Sequence, residues 1–110
     1  RLRTASDIKS RLHFYNLGSS QVPTVLVGHV NGVQPSAHPG AGFKELVYFI
    51  NVDKVAQTLT IDPLKGKAFV LHPVHAAATA ADKRAATASY VAGTGAFAIP
   101  ARTAVVFVVN

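Results

Sequence analysis

Histidines and carboxylates are where chemistry would have to reside in this chain, because cysteine is absent. His72 and His75 are separated by two residues. A pair at that spacing can share a metal ion if a helical turn or tight loop presents both and a third ligand joins them. Pro73 lies between them, no H-E-x-x-H pattern occurs, and the nearest acid in sequence is Asp82. The expectation is two histidines at a strand end and no metal ion. His13, His29 and His38 accompany no nucleophile pattern, since Ser19, Ser20 and Ser89 lack the G-x-S-x-G turn that exposes a catalytic serine. Without cysteine there is no thiolate nucleophile and no disulfide, and the compartment stays undetermined.

The acids are Asp7, Glu45, Asp53, Asp62 and Asp82. Glycoside hydrolysis needs two carboxyl groups facing each other across a bond. These five fall mostly at turn signals and strand ends, and their spacing argues for no pair. Gly40-x-Gly42 and Gly93-x-Gly95 lack a third glycine and precede strands, and Gly66-Lys67 has Ile61 where a phosphate loop needs glycine. No catalytic residue and no cofactor are expected. A sugar-binding platform needs flat aromatic rings; tryptophan is absent, and Tyr15, Tyr48 and Tyr90 remain. Tyr48 falls on an apolar parity and reads as core, which leaves Tyr15 and Tyr90 as candidate sugar contacts.

The net charge of +6 raises the question of an anionic partner. The basic residues are scattered from Arg1 to Arg102 with no run longer than two. Nucleic-acid footprints are clustered, so no nucleic-acid partner is expected. No apolar run approaches the ~20 residues of a membrane span, so no membrane partner is expected either. The 110 residues suffice for one domain with a modest core. The chain opens at Arg1 rather than methionine and reads as a piece of something longer.

The elements that would position these residues are short strands. Thr4-Ala5-Ser6-Asp7 has the hydroxyl and following acid of a helix start, good for a short N-terminal helix. In Leu12-His13-Phe14-Tyr15 the apolar Leu12 and Phe14 share one face, and Arg11, His13 and Tyr15 the other. Val22 to Val30 forms the next strand, with Pro23 at its entry and Asn31-Gly32 as its turn; residues 34–42 form a loop. Glu45 to Val52 and Gln57 to Ile61 read as a hairpin turned at Asp53-Lys54, with Leu59 and Ile61 inward and Thr58 and Thr60 outward. Phe69 to Leu71 is a strand, the alanine-rich 76–88 stretch a loop with a transient turn, and Gly93-Thr94-Gly95 joins a second hairpin. Phe97 to Val109 holds two strands parted by Pro100. The last, Thr103 to Val109, is apolar on both faces and so is central in a sandwich or covered on its second face. About eight short strands with a short N-terminal helix suggest an all-β antiparallel sandwich over 1–110.

Several segments resemble, in order, the region that follows the catalytic barrel in pullulanases and plant-type limit dextrinases. They are Arg1-Leu2-Arg3-Thr4-Ala5, Arg11-Leu12-His13-Phe14-Tyr15-Asn16, Val22-Pro23, Phe49-Ile50-Asn51-Val52, Leu71-His72-Pro73-Val74 and the run from Ile99 to Val108. The alanine-rich 76–88 stretch departs from the pattern, and nothing is carried across there. The resemblance implies the C-terminal β-sandwich of a pullulanase-type α-1,6-glucosidase of glycoside hydrolase family 13, packed on a (β/α)8 barrel that holds the catalytic acids. A barrel takes ~250 residues and lies outside these 110. None of the family's catalytic residues maps onto this chain. The function so implied is a non-catalytic accessory domain of a starch-debranching hydrolase. Its partner would be the barrel of the same chain, with α-glucan as the partner in the alternative of a glucan-binding module. A basic nucleic-acid binder is the third and weakest alternative.

Overall fold

The computed structural model describes residues 1–110 as two antiparallel sheets packed face to face. Its strands are β1 (Leu12–Tyr15), β2 (Val25–Asn31), β3 (Glu45–Asn51), β4 (Gln57–Thr60), β5 (Val70–Leu71), β6 (Ser89–Val91), β7 (Ala96–Ile99) and β8 (Thr103–Val109). One sheet has five strands in the order β1-β2-β3-β8-β5, and the other three in the order β4-β7-β6. The all-β sandwich with a short N-terminal helix is the architecture that the turn spacing suggests.

Helix α1 (Ala5–Arg11) is one of two short α-helices; α2 (Pro73–Ala76) is a single turn. Thr4 caps α1: its Oγ1 accepts the Asp7 N–H at 3.1 Å and donates to the Asp7 carboxylate at 3.0 Å. A seven-residue helix is marginal on its own. Its last residue pins it to the sheet, because Arg11 Nη1 donates to the carbonyls of Asn31 and Gln34 at 3.3 and 3.1 Å.

The core lies between the sheets. Val25 and Val27 of β2, Val47 and Phe49 of β3, and Val105 and Phe107 of β8 face Leu59, Phe97 and Ile99 of the smaller sheet, all buried. Phe97 is the hub: its ring centroid lies 4.8 Å from Phe49, 4.6 Å from Tyr90, 5.3 Å from Phe107 and 5.9 Å from Phe69. Offset and edge-on contacts at such distances favour aromatic pairs beyond simple burial. In β4 the inward Leu59 and the outward Thr58 and Thr60 match their alternation, and Ile61 beyond it is buried as well. The hairpin of β6 and β7 around Gly93-Thr94-Gly95 is present.

Besides strands that start later than read, β2 at Val25 rather than Val22 and β5 at Val70 rather than Phe69, two features differ from the sequence reading. β3 and β4 form no hairpin: β3 pairs with β2 and β8, whereas β4 pairs with β7 in the other sheet. The reason is Asn51, almost wholly buried at the end of β3. Its Nδ2 reaches the carbonyls of Val55, Ile99 and Pro100 at 3.1, 3.4 and 3.0 Å, and its Oδ1 accepts the Asp53 N–H at 2.9 Å. These bonds turn the chain out of one sheet and into the other. Tyr48 is the second difference. It points away from the core, since Val47 and Phe49 are the inward residues of β3. The alanine-rich segment is mostly irregular, as read, but is bounded by α2 and by a 3-10 turn at Ala85–Thr87.

β8 is flanked by β3 and β5, in full register with β3 from Glu45↔Val109 to Asn51↔Thr103. One parity, Val105 and Phe107, fills the core; the other, Ala104, Val106 and Val108, lies on the outer face of the five-stranded sheet. The connection from β7 to β8 runs through Pro100, Ala101 and Arg102 and carries the chain from the small sheet to the large one. Arg102 adopts a left-handed backbone, φ 49°, and its N–H donates to the Asp53 carbonyl at 2.9 Å. That conformation costs a non-glycine residue about 1 kcal/mol.

Candidate functional site

His72 Nδ1 accepts the Val74 N–H at 3.2 Å and so caps α2, with the His75 ring 6.2 Å away. No three His, Cys, Asp or Glu side chains converge anywhere in the fold. Asp7 belongs to the helix cap, with Arg11 3.7 Å away. Asp53 is held by Gln57 at 3.0 Å and Thr24 at 3.4 Å, and Asp82 by Arg84 at 3.0 Å. Asp62 opens a 3-10 turn.

Of the two candidate glucan contacts, Tyr90 is half-buried with its ring stacked on Phe97, and its hydroxyl donates toward the Leu64 carbonyl at 2.8 Å. It also accepts the Lys67 N–H at 3.2 Å. Tyr15, also half-buried, packs beside His29 with ring centroids 6.0 Å apart, and burial pushes its phenol pKa up. The two residues lie on different sheets.

The fifth acid, Glu45, is the one spacing did not reveal as partnered. It is buried, with Oε2 at 2.8 Å from His29 Nε2 and Oε1 accepting from Lys67 Nζ at 2.7 Å. His29 is buried too, and its Nδ1 has no partner. That fixes the tautomer on physical grounds: Nε2 carries the proton toward Glu45, and Nδ1 stays bare. Protonating the ring would strand a buried N–H. Burial accordingly pushes the His29 pKa down, the Glu45 hydrogen bond and charge pull it partly back, and the Lys67 and His13 charges push it down again. Burial pushes Glu45 up, but hydrogen bonds from Lys67 and His29 outweigh it and the net direction is down. The signal for this cluster was His29 sharing the parity of the core residues Val25 and Val27.

Both groups bind protons more readily unfolded than folded, so stability rises with pH across their titrations. His29 stability is complete above its ordinary value of 6.5 and is lost as pH falls toward the lower folded value. Glu45 stability is lost next, as pH falls below 4.5. Urea midpoints followed by circular dichroism at a series of pH values should therefore fall from pH 7 to 5. His29→Gln keeps an N–H for Glu45 and does not titrate, so it should flatten that limb; an unchanged slope would show that His29 is not the group responsible.

The outer face of the five-stranded sheet is apolar and partly open to water, although Val108 at its far end is wholly buried. Leu12 and Phe14 of β1, Leu26, Gly28 and Val30 of β2, Leu46, Tyr48 and Ile50 of β3, Ala104, Val106 and Val108 of β8, and Val70 of β5 share it. Phe14, Leu26, Ile50 and Val70 are 40 to 48% exposed. Gly28 explains how Tyr48 lies there: a Cβ at residue 28 would sit 2.2 Å from the Tyr48 ring. The glycine makes room for the tyrosine ring to pack against β2. The Tyr48 hydroxyl is its only side-chain polar group.

A model of the family described as "Alpha-1,6-glucosidases, pullulanase-type, C-terminal" matches residues 1–110. The chain is 31% identical over 113 residues to "Pullulanase 1, chloroplastic" of Arabidopsis thaliana, covering 98% of this chain and 11% of that protein. Its fold is similar to that of PulA from Klebsiella oxytoca, with a TM-score of 0.75 at 25% identity over 94% of this chain and 10% of the other. The maltotriose complex of PulA from Klebsiella pneumoniae shares the fold, with a TM-score of 0.76 at 23% identity over 94% and 11% of the respective chains. The chain thus spans about a tenth of the length of these relatives. The match over every residue, carried by a sandwich of the same shape, means that this chain belongs to the family of C-terminal domains of pullulanase-type α-1,6-glucosidases.

Proposed function

We propose that this is a non-catalytic accessory domain of a starch-debranching α-1,6-glucosidase, and that its five-stranded sheet packs on the catalytic (β/α)8 barrel of the same protein and stabilises it. The observation that carries this reading is the partly exposed apolar outer face, with Phe14, Leu26, Ile50 and Val70 open to water. Contiguous exposed apolar surface of this kind marks a contact with another protein surface. A glucan is the weaker occupant, because a sugar needs hydrogen-bonding groups around its stacking ring and the strand residues of this face offer one hydroxyl, with a single guanidinium at its corner. Covering each half-exposed large side chain contributes about 1 kcal/mol, roughly half the value for full burial.

Leu26→Asp and Ile50→Asp place a charge on this face at sites already open to water in the domain itself. In the full-length enzyme each should lower the temperature of thermal inactivation while leaving turnover on pullulan at low temperature near wild type. Inactivation temperatures equal to wild type would remove the packing reading. The 110-residue chain by itself should release no reducing ends from pullulan. Activity that survives re-purification and disappears on substituting one of the five acids would overturn the non-catalytic reading.

A further inference from the structure

Two non-glycine residues hold a left-handed backbone, Asn16 at φ 58° and Arg102 at φ 49°. Asparagine tolerates that region, and the Asn16 side chain is fully engaged there. Its Nδ2 donates to the carbonyls of Val22 and Val25 at 2.8 and 2.7 Å, and its Oδ1 accepts the Val22 N–H at 2.8 Å. Arg102 has neither feature. Arginine is rare in this region, and its exposed guanidinium makes no hydrogen bond or ion pair within the domain. Its backbone is nonetheless held firmly, by its own N–H on Asp53 and by the bonds of Asn51 to the preceding Ile99 and Pro100 carbonyls. A residue kept in an unfavourable conformation by its surroundings points to a use for its side chain.

The position of Arg102 indicates that use. With Ile50, Val52 and Ala104 it lines a shallow recess at one corner of the outer face. The neighbouring acid, Asp53, is already taken by Thr24 and Gln57. On a chain of net charge +6, no acid of the domain serves this guanidinium. We propose that Arg102 is an interdomain anchor that pairs with a carboxylate side chain on the upstream part of the same protein, at the corner where the outer face is covered. This rests on the packing reading above; that the domain makes up only about a tenth of its relatives leaves ample chain to supply the partner. The guanidinium fork matches a carboxylate in bidentate fashion, which a lysine cannot reproduce.

The test is set up so that strain relief and lost anchoring have opposite signs. Arg102→Gly and Arg102→Asn both suit a left-handed backbone and both remove the charge. If Arg102 is an anchor, each lowers the melting temperature of the full-length protein by about 2 °C or more, and Arg102→Lys restores part of the loss. One Asp→Asn or Glu→Gln substitution in the upstream region gives a similar drop, and combining it with Arg102→Gly adds nothing further. A melting temperature that rises or stays level in Arg102→Gly overturns the proposal, as does strict additivity with every upstream acid tested. Leu26→Asp separates the two ideas: if it destabilises the full-length protein while Arg102→Gly does not, the anchor fails and the packing stands. If Leu26→Asp instead converts a dimer to a monomer by light scattering, the face meets a second copy, and both readings fall.

Discussion

Ending the chain after Pro100 is expected to leave no folded domain. The cut removes β8, which contributes the buried Val105, Phe107 and Val108. Burial of such side chains is worth about 1.5–3 kcal/mol each, so these three alone approach the ~5–15 kcal/mol by which a domain is stable. The backbone loss compounds it. β8 is the only strand joining β5 to the rest of its sheet, and its departure leaves the long edge of β3 unpaired. Circular dichroism should show no cooperative melt, and the amide NMR spectrum should collapse. A dispersed spectrum with the original melting point would mean that β8 is peripheral.

Leu59→Asp should likewise abolish cooperative unfolding, whereas Thr60→Asp should melt within about 0.5 kcal/mol of the original stability. Leu59 is 6% exposed and stands opposite Phe97, the hub of the core, while its neighbour Thr60 is exposed. A carboxylate placed beside that aromatic cluster finds no donor, and an unpaired buried charge costs several kcal/mol. Equal melting temperatures for the two variants would show that the facing of β4 is wrong.

Where side-chain type and spacing agreed, the fold was legible. The alternation of Leu59 and Ile61 with two threonines gave the facing of β4, and the double-sided apolar run from Thr103 to Val109 marked a central strand, now seen between β3 and β5. Legibility failed where the deciding partner is distant in sequence. In β3 both parities are apolar, so periodicity alone cannot choose between Tyr48 and Phe49. Gly28, on the adjacent strand, makes the choice by giving the tyrosine ring room to pack outside. The hairpin expected between β3 and β4 rested on proximity in the chain; the buried amide of Asn51 redirects that turn through carbonyls almost fifty residues away, at Ile99 and Pro100. The tie among His29, Glu45 and Lys67 was hidden for the same reason, since three residues in separate segments carry no motif. Tyr15 and Tyr90 could be named from aromatic type, but the packing that holds each ring is a property of the assembled sandwich.

The place of β8 between β3 and β5 also bears on how the domain comes into being. A ribosome delivers the chain from its first residue onward, and β1, β2 and β3 emerge as an antiparallel meander that can pair at once. β3 must then wait, its outer row of amides and carbonyls open, until the last strand has been made. Contacts between segments so far apart form slowly, and a waiting edge can recruit the wrong strand. Nascent chains of this domain should therefore be most vulnerable to aggregation between the emergence of β3 from the ribosome and that of β8.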